Sequence, residues 1–115
     1  MVIVAVVGPC ASGKSTLVAA LRDRGYDARH VAQEHSYVPD MWLQMTHPRA
    51  LIYLEASFET INSRRRLNWT LSDYQEQLRR LTHAREHADL FLSTNDLTPE
   101  QLISQVLTFL QPDAM

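Results

Sequence analysis

The sequence predicts an α/β fold in three layers, with helices on both faces of a mainly parallel, four-stranded sheet. Along the chain, apolar segments of strand length alternate with segments whose apolar residues recur at helical spacing. Two of the apolar segments, Val2–Val7 and Arg49–Glu55, have apolar side chains at successive positions, as strands buried on both faces do. We expect these two strands in the middle of the sheet, and right-handed crossovers then give the strand order 2-1-3-4.

Length and composition bound the class of protein. The chain has 115 residues, which predicts a single domain over 1–115 with a frayed tail at 111–115. Its formal net charge of −2 argues against a protein that coats nucleic acid. The apolar segment at the start of the sequence is too short for a membrane span and lacks the basic residues of a signal peptide. Cys10 is the only cysteine. We therefore expect a cytoplasmic protein with no membrane partner and no internal disulfide.

Four segments have the apolar content and the length of strands: Val2–Val7, Tyr26–Glu34, Arg49–Glu55 and Asp89–Thr94. The second of them alternates between apolar and polar side chains and the fourth is short, so both belong at edges of the sheet. An exposed, half-polar edge strand makes a homodimer one possible state of the protein, although the sequence shows no interface.

Four further segments have the apolar spacing and the end signals of helices: Lys14–Arg24, Ser57–Leu67, Ser72–Ala88 and Thr98–Leu110. A capping box at Ser72–Gln75 predicts the start of the third helix. Thr98 followed by Pro99 predicts the start of the fourth, because Pro is favoured at the first helical position. Between the second and third strands, His35–His47 predicts a loop with one helical turn.

The stretch GPCASGKST, Gly8–Thr16, lies between the first strand and the first helix and fits the pattern G-x-x-x-x-G-K-[ST]. In a loop of this kind, backbone N–H groups and the positive end of the following helix converge on phosphate oxygens. Lys14 reaches the β- and γ-phosphates, and the Ser15 hydroxyl ligates Mg²⁺. The alternative is an ordinary turn between a strand and a helix. The predicted phosphate-binding residues are Gly8, Ala11, Ser12, Gly13, Lys14, Ser15 and Thr16.

The opening GPCASGKSTLVAALRDRG resembles the P-loop kinases of the nucleoside, nucleotide, shikimate and dephospho-coenzyme A kinase group. The resemblance covers residues 1–34 and 49–110, where LIYLEASFETINSRRR and REHADLFLSTNDLTPEQLISQVLTFL are similar to later parts of that group. It implies a P-loop NTPase-like fold that uses ATP and Mg²⁺ and transfers the γ-phosphate to a nucleotide or small-molecule acceptor. It also implies that Asn95 lies over the adenine base and that Arg64 and Arg65 offset charge on the transferred phosphoryl group.

Magnesium-assisted phosphoryl transfer usually needs a carboxylate at the end of a strand beside the loop. Glu34 ends the second predicted strand and Glu55 ends the third. The predicted topology brings Glu34 next to the loop, so Glu34 is our candidate for the acid that holds Mg²⁺, directly or through water, and Glu55 stays open as the alternative. His35 is a candidate for orienting a phosphate or a substrate, and a solvated loop histidine is the other interpretation.

The segment Tyr26–Pro48 departs from the group, whose members carry an extra strand and a helical substrate-binding insert there. Three interpretations follow: a substrate site reduced to a short loop, a small substrate, or a site completed by a second subunit. The short segment also keeps two alternatives to a kinase open, a nucleotide-binding module that organises a partner surface and a bare NTPase. Trp42 in this segment is either a substrate platform or the cover of a small core.

Two further features have alternative interpretations. Cys10 lies inside the glycine-rich loop, where it is either a small residue at a variable position or a thiol whose oxidation blocks phosphate binding. His83 and His87 share one face of a predicted helix at a spacing compatible with a metal. Because the sequence shows no third ligand beside them, a surface helix is the preferred interpretation.

Overall fold

The computed structural model describes residues 3–65 and 70–110, and the side chain of Arg65 lies outside that description. The strands are β1 (Ile3–Val7), β2 (Asp27–His30), β3 (Ala50–Glu55) and β4 (Leu90–Ser93). The helices are α1 (Lys14–Asp23), α2 (Met41–Thr46), α3 (Phe58–Arg65), α4 (Leu71–Arg80), α5 (Thr82–His87) and α6 (Pro99–Leu110). Among the described residues, no helix has the length and hydropathy that crossing a membrane requires.

The four strands form one sheet in which every neighbouring pair is parallel, in the order β2-β1-β3-β4. The predicted strand order is confirmed. β1 and β3 occupy the centre, where Val4 of β1 pairs with Ala28 on one side and with Ala50 on the other. Both central strands are almost wholly buried, as their unbroken apolar sequence predicts.

Helices pack on both faces of the sheet and enclose two separate cores. The core beneath α1 and α6 contains Val4, Val6, Leu17, Val18, Leu21, Ala28, Ile52, Leu54, Leu102 and Val106. The core on the opposite face contains Ala5, Val7, Val31, Trp42, Leu51, Tyr53, Leu81 and Ala84. Successive residues of β1 alternate between the two cores. Burial of each large aliphatic side chain stabilises the fold by about 1.5–3 kcal/mol. Trp42 is buried in the second core, so it is a core residue.

The predicted length of the second strand, Tyr26–Glu34, is wrong. β2 ends at His30, and Glu34 lies in a 3-10 turn, Gln33–His35, instead of at the end of a strand. Gln33 is fully buried, and its Oε1 accepts the backbone N–H of Trp42 at 2.9 Å. A buried amide that bonds to later parts of the chain favours a turn here, whereas the alternating pattern alone indicated a longer strand.

The capping box of α4 lies two residues earlier than the predicted Ser72–Gln75. The Thr70 hydroxyl accepts the backbone N–H of Asp73 at 3.3 Å, and the Asp73 carboxylate accepts that of Thr70 at 2.9 Å. The helix predicted to continue to Ala88 is interrupted at Leu81, where α4 ends and α5 begins. The apolar stripe continues across the interruption, so periodicity alone does not reveal it.

The other helix starts agree with the sequence. At α6, the Thr98 hydroxyl accepts the N–H of Gln101 at 3.1 Å, and the Gln101 side chain accepts the N–H of Thr98 at 2.9 Å. At α3, the Ser57 hydroxyl accepts the N–H of Thr60 at 3.2 Å. The predicted end of that helix at Leu67 lies outside the described residues.

Candidate functional site

A glycine-rich loop connects the carboxyl end of β1 to the start of α1, and its shape depends on its two glycines. Gly8 has φ 155° and Gly13 has φ 111°. A Cβ atom at Gly8 would clash with the carbonyl oxygen of Leu54 and lie 2.8 Å from the hydroxyl of Ser12. The loop therefore crosses β3 at a distance that only glycine allows. Ala11 also has a positive φ, of 60°, an uncommon conformation for a residue with a side chain.

The carbonyl groups of this loop are hydrogen-bonded by side chains from around it. Lys14 Nζ donates to the carbonyl oxygens of Gly8 and Pro9. From the other side, the Thr94 hydroxyl donates to Ser12 O at 2.7 Å. Arg64 Nη1 donates to Ala11 O at 2.9 Å and to the Thr94 hydroxyl at 3.1 Å. Side-chain donors thus bond four carbonyl oxygens of the loop, those of Gly8, Pro9, Ala11 and Ser12.

The N–H groups at the end of the loop are left without protein partners. The first helical hydrogen bond of α1 runs from Leu17 N to Gly13 O at 3.1 Å. Within the described part of the chain, the backbone N–H groups of residues 13–16 form no hydrogen bond. Such groups carry the positive end of the helix dipole. The loop therefore offers donors to a ligand while most of its own carbonyl oxygens are bonded within the chain, an arrangement suited to an anion.

Lys14 and Glu34 form a buried ion pair beside these N–H groups. Lys14 Nζ lies 2.5 Å from Glu34 Oε2, and their side chains are only 5% and 4% exposed. With Gly8 O and Pro9 O as its other two acceptors, the ammonium group uses all three of its donors. Glu34 Oε1 is buried and has no hydrogen-bond partner among the described residues. A buried ion pair of this kind is held in place by its additional hydrogen bonds.

The loop forms one wall of a cleft of about 440 Å³, a volume suited to one small ligand. His30 and Glu34 line it from the β2 side. The opposite wall comes from the end of β4 and the start of α6, with Thr94 and Leu102 among its residues. The cleft therefore lies at the carboxyl ends of β1 and β4, where ligands of open parallel sheets usually bind.

The structure brings some of the predicted site residues together and separates others. Glu34 lines the cleft, whereas Glu55 lies outside it and faces Arg85 at 3.9 Å. Arg64 lies at the cleft, and the side chain of Arg65 is outside the described residues. Asn95 is exposed, and its Oδ1 accepts the backbone N–H of Ser57 at 2.8 Å, so it connects the end of β4 to the start of α3.

Two anchoring residues, Thr94 and Gln77, were not predicted from the sequence. Gln77 is buried on α4, where its Oε1 accepts the N–H of Cys10 at 3.1 Å and its Nε2 donates to the Cys10 sulfur at 3.2 Å. A signal for Gln77 was present, because a glutamine lies on the apolar stripe of the helix, three residues after Tyr74 and four before Leu81. Thr94 follows a strand without any distinguishing pattern.

The fold changes the protonation of His30, a residue that lines the cleft. Burial and the positive charge of Lys14 lower the pKa of His30, although Glu34 acts in the opposite direction. The unfolded chain then takes up a proton more readily than the folded one. The contribution of His30 to stability is therefore present above the ordinary histidine pKa of about 6.5 and is lost as the pH falls below it.

We expect the free energy of unfolding to decrease between about pH 7.5 and about pH 5.5, and the decrease to be smaller in His30→Gln. Glutamine keeps a polar side chain at the position but removes the proton uptake. Urea unfolding of both proteins at the two pH values measures the difference. Equal pH dependence in the two proteins would contradict the assignment to His30.

Gly8→Ala is expected to destabilise the fold by about 2 kcal/mol or more, because the new Cβ meets the carbonyl oxygen of Leu54. Gly25→Ala is the matched control, since Gly25 also has a positive φ, of 89°, but nothing lies within 4 Å of its added Cβ. The control should cost about 1 kcal/mol, for the backbone conformation alone. Equal losses in the two variants, measured by urea unfolding, would show that the close approach is unimportant.

The chain matches no protein-family model, and a search of curated proteins found no significant relative. Comparison therefore assigns no family. The grounds for a function are the geometry of the loop and the chemistry of the side chains around it.

Proposed function

We propose that this chain is a P-loop, kinase-like protein that binds Mg-ATP through the loop Gly8–Thr16 and transfers the γ-phosphoryl group to a small-molecule or nucleotide acceptor. The observation that carries the proposal is the distribution of polar groups in the loop. Its carbonyl oxygens are bonded by Lys14, Arg64 and Thr94, while the N–H groups of residues 13–16 have no acceptor in the described chain.

A chain of phosphates fits this set of donors. Backbone N–H groups at a helix N-terminus bind phosphate oxygens through charge-assisted hydrogen bonds, and the glycine at position 13 leaves their approach open. Lys14 adds a cation that is already buried next to them. The cleft also has an apolar side, formed in part by Leu97 and Leu102, which can contact a base. These contacts support a nucleotide as the ligand.

The chain also has oxygen ligands of the kind that Mg²⁺ prefers. Ser15 is exposed at the first turn of α1, and Glu34 lines the same cleft. In the proposal, Ser15 and Glu34 hold the ion, with Glu34 acting directly or through water. Bound Mg²⁺ neutralises charge on the β- and γ-phosphates.

The ion pair of Lys14 and Glu34 gives the proposal a specific first step. When a phosphate binds, Lys14 exchanges the Glu34 carboxylate for a phosphate oxygen, because the N–H groups of the loop hold the phosphate next to the ammonium group. The exchange leaves Glu34 free to hold Mg²⁺ or to accept the proton of an acceptor hydroxyl. Glu34 thus serves as the counterion of Lys14 before a nucleotide binds, and as a magnesium ligand or general base afterwards.

A specific observation favours a second candidate function, a nucleotide-binding module without an acceptor. The segment Tyr26–Pro48, where the resemblance places the substrate insert, contains only β2, the 3-10 turn and α2, and its described residues in the cleft are His30 and Glu34. Arg64 donates to the loop and to Thr94, so its guanidinium group is already engaged. In this alternative, bound ATP or ADP organises the surface of a partner protein, or the chain acts as a bare NTPase.

Lys14→Met is expected to weaken ATP binding by about tenfold to a hundredfold, because a charged hydrogen bond to phosphate is lost. Arg24→Met is the matched control, since it removes an exposed cation just after α1 and outside the residues that line the cleft. Calorimetric titration of ATP into the three proteins measures the affinities, and thermal unfolding confirms that each is folded. Wild-type affinity in folded Lys14→Met would disprove phosphate binding at this loop.

Glu34→Gln separates binding from transfer. Without Mg²⁺ the variant should bind ATP at least as tightly as the wild type, because Lys14 loses its competing carboxylate. Acceptor-dependent ADP release should fall by about 10²–10⁴-fold. Glu55→Gln alters the carboxylate outside the cleft. It should retain the wild-type affinity for ATP and the wild-type rate of acceptor-dependent ADP release.

The acceptor screen uses nucleosides, nucleotides and small hydroxy-metabolites. Acceptor-dependent ADP release that survives in Glu34→Gln would refute the role given to this residue. ATP binding without ADP release in the presence of any of these acceptors would favour the binding module, and ADP release independent of acceptor would favour the bare NTPase.

A further inference from the structure

Three side chains that bind metals well meet at the edge of the loop: Cys10, Glu34 and His35. The thiol sulfur, a carboxylate oxygen and an imidazole nitrogen lie within 4.8 Å of one another. We propose that they bind one thiophilic divalent cation, with Zn²⁺ as the physiological ion. This site differs from the proposed Mg²⁺ site in its chemistry, because sulfur and imidazole nitrogen favour Zn²⁺ whereas Mg²⁺ prefers oxygen.

Two of the three separations within the cluster, both involving His35 Nε2, are near those of a tetrahedral site. With Zn–S and Zn–N bonds of about 2.3 and about 2.0 Å, tetrahedral geometry places a sulfur and a nitrogen ligand about 3.5 Å apart. Cys10 Sγ lies 3.6 Å from His35 Nε2. His35 Nε2 lies 3.9 Å from Glu34 Oε2, slightly more than two tetrahedral ligands require. The His35 side chain is 58% exposed, so its rotation can adjust the two separations that involve Nε2.

The carboxylate of Glu34 is only half satisfied by the described part of the chain. Glu34 Oε1 is buried and has no hydrogen-bond partner in the described residues, while Oε2 bonds to Lys14. Leaving a carboxylate oxygen buried and unbonded is costly. A cation bound by the Glu34 carboxylate would offset part of this cost. The exposure of His35 provides access from solvent.

Gln77 supplies the outer contacts that a metal-binding cysteine needs. Its Nε2 donates to Cys10 Sγ at 3.2 Å and its Oε1 accepts the Cys10 N–H at 3.1 Å, so the amide orients the residue from two sides. Outer contacts of this kind fix the orientation of a metal ligand. Because Gln77 is itself buried on α4, its amide is held in a fixed position.

Two of the three proposed ligands bind a metal as anions. A Cys10 thiolate and the Glu34 carboxylate together carry two negative charges. Lys14, at 2.5 Å from Glu34 Oε2, competes with the cation for that carboxylate. We therefore expect a site of moderate affinity with three protein ligands and one open position, as catalytic zinc sites have. The site can be tested by metal binding alone, without ATP.

The helix pair His83 and His87 is the competing location for a metal. Their rings are stacked with centroids 4.2 Å apart, and His83 Nδ1 accepts the indole N–H of Trp42 at 3.1 Å. His87 Nδ1 lies 2.8 Å from the His83 carbonyl oxygen. Only the Nε2 atoms are then left for an ion. No third ligand completes this pair among the described residues, so we expect weaker binding there.

The experiment uses the full chain, with Co²⁺ as a spectroscopic probe and Zn²⁺ as its competitor. We expect one Co²⁺ per chain, with the intense near-ultraviolet absorption of a cobalt–thiolate bond, and displacement of Co²⁺ by Zn²⁺. Cys10→Ser should abolish the thiolate band, and His35→Ala should weaken binding by about tenfold or more. His87→Ala is the matched control and should behave as the wild type.

Absence of the thiolate band in the wild type would overturn the proposal. It would also be overturned if His35→Ala binds as the wild type does, or if His87→Ala is the variant that loses binding. Thermal unfolding without metal verifies the fold of each variant. His35 is exposed, so His35→Ala remains a valid test even if Cys10→Ser disturbs the loop.

Discussion

The buried contact between Lys14 and Glu34 is the interaction on which the rest of the site depends. It joins the start of α1 to the turn after β2, at a separation of 2.5 Å between Nζ and Oε2. Charges so far from water are tolerated only when each has a partner. The ammonium group must therefore also bond the carbonyl oxygens of Gly8 and Pro9, and this closes the loop around it. The ion pair, the loop and the 3-10 turn thus require one another.

The surrounding elements hold the same loop from three further directions, and they do so mainly through its acceptors. Thr94 follows β4, Arg64 lies on α3 and Gln77 lies on α4. The first two donate to loop carbonyls, and Gln77 bonds to both the N–H and the sulfur of Cys10. A preformed site of this kind spends little conformational entropy when a ligand binds. The unbonded N–H groups that remain at the end of the loop are what a phosphate would contact.

The sheet was predictable from the sequence because its determinants are local. The apolar segments that form β1 and β3 indicate burial on both faces, and handedness then determines the strand order. The 3-10 turn at Gln33–His35 was not predictable in this way, since it depends on a buried amide bonded to residues of α2 and α4. Thr94 and Gln77 are similar cases, because their partners in the loop are more than sixty positions away in sequence. Patterns within a window cannot detect such contacts.

The position of Glu34 links the two proposed sites physically. Its Oε2 is the counterion of Lys14, and its Oε1 is buried without a partner in the described chain. Any ligand that draws Lys14 away leaves a buried carboxylate that needs a cation, because an unpaired buried charge is strongly destabilising. In the proposed function, a magnesium ion that arrives with the nucleotide would meet that need from the side of the cleft. A thiophilic ion held by Cys10 and His35 would meet it from the side of the 3-10 turn. Because one carboxylate cannot neutralise Lys14 and two divalent ions at once, occupancy of either site must alter the affinity of the other.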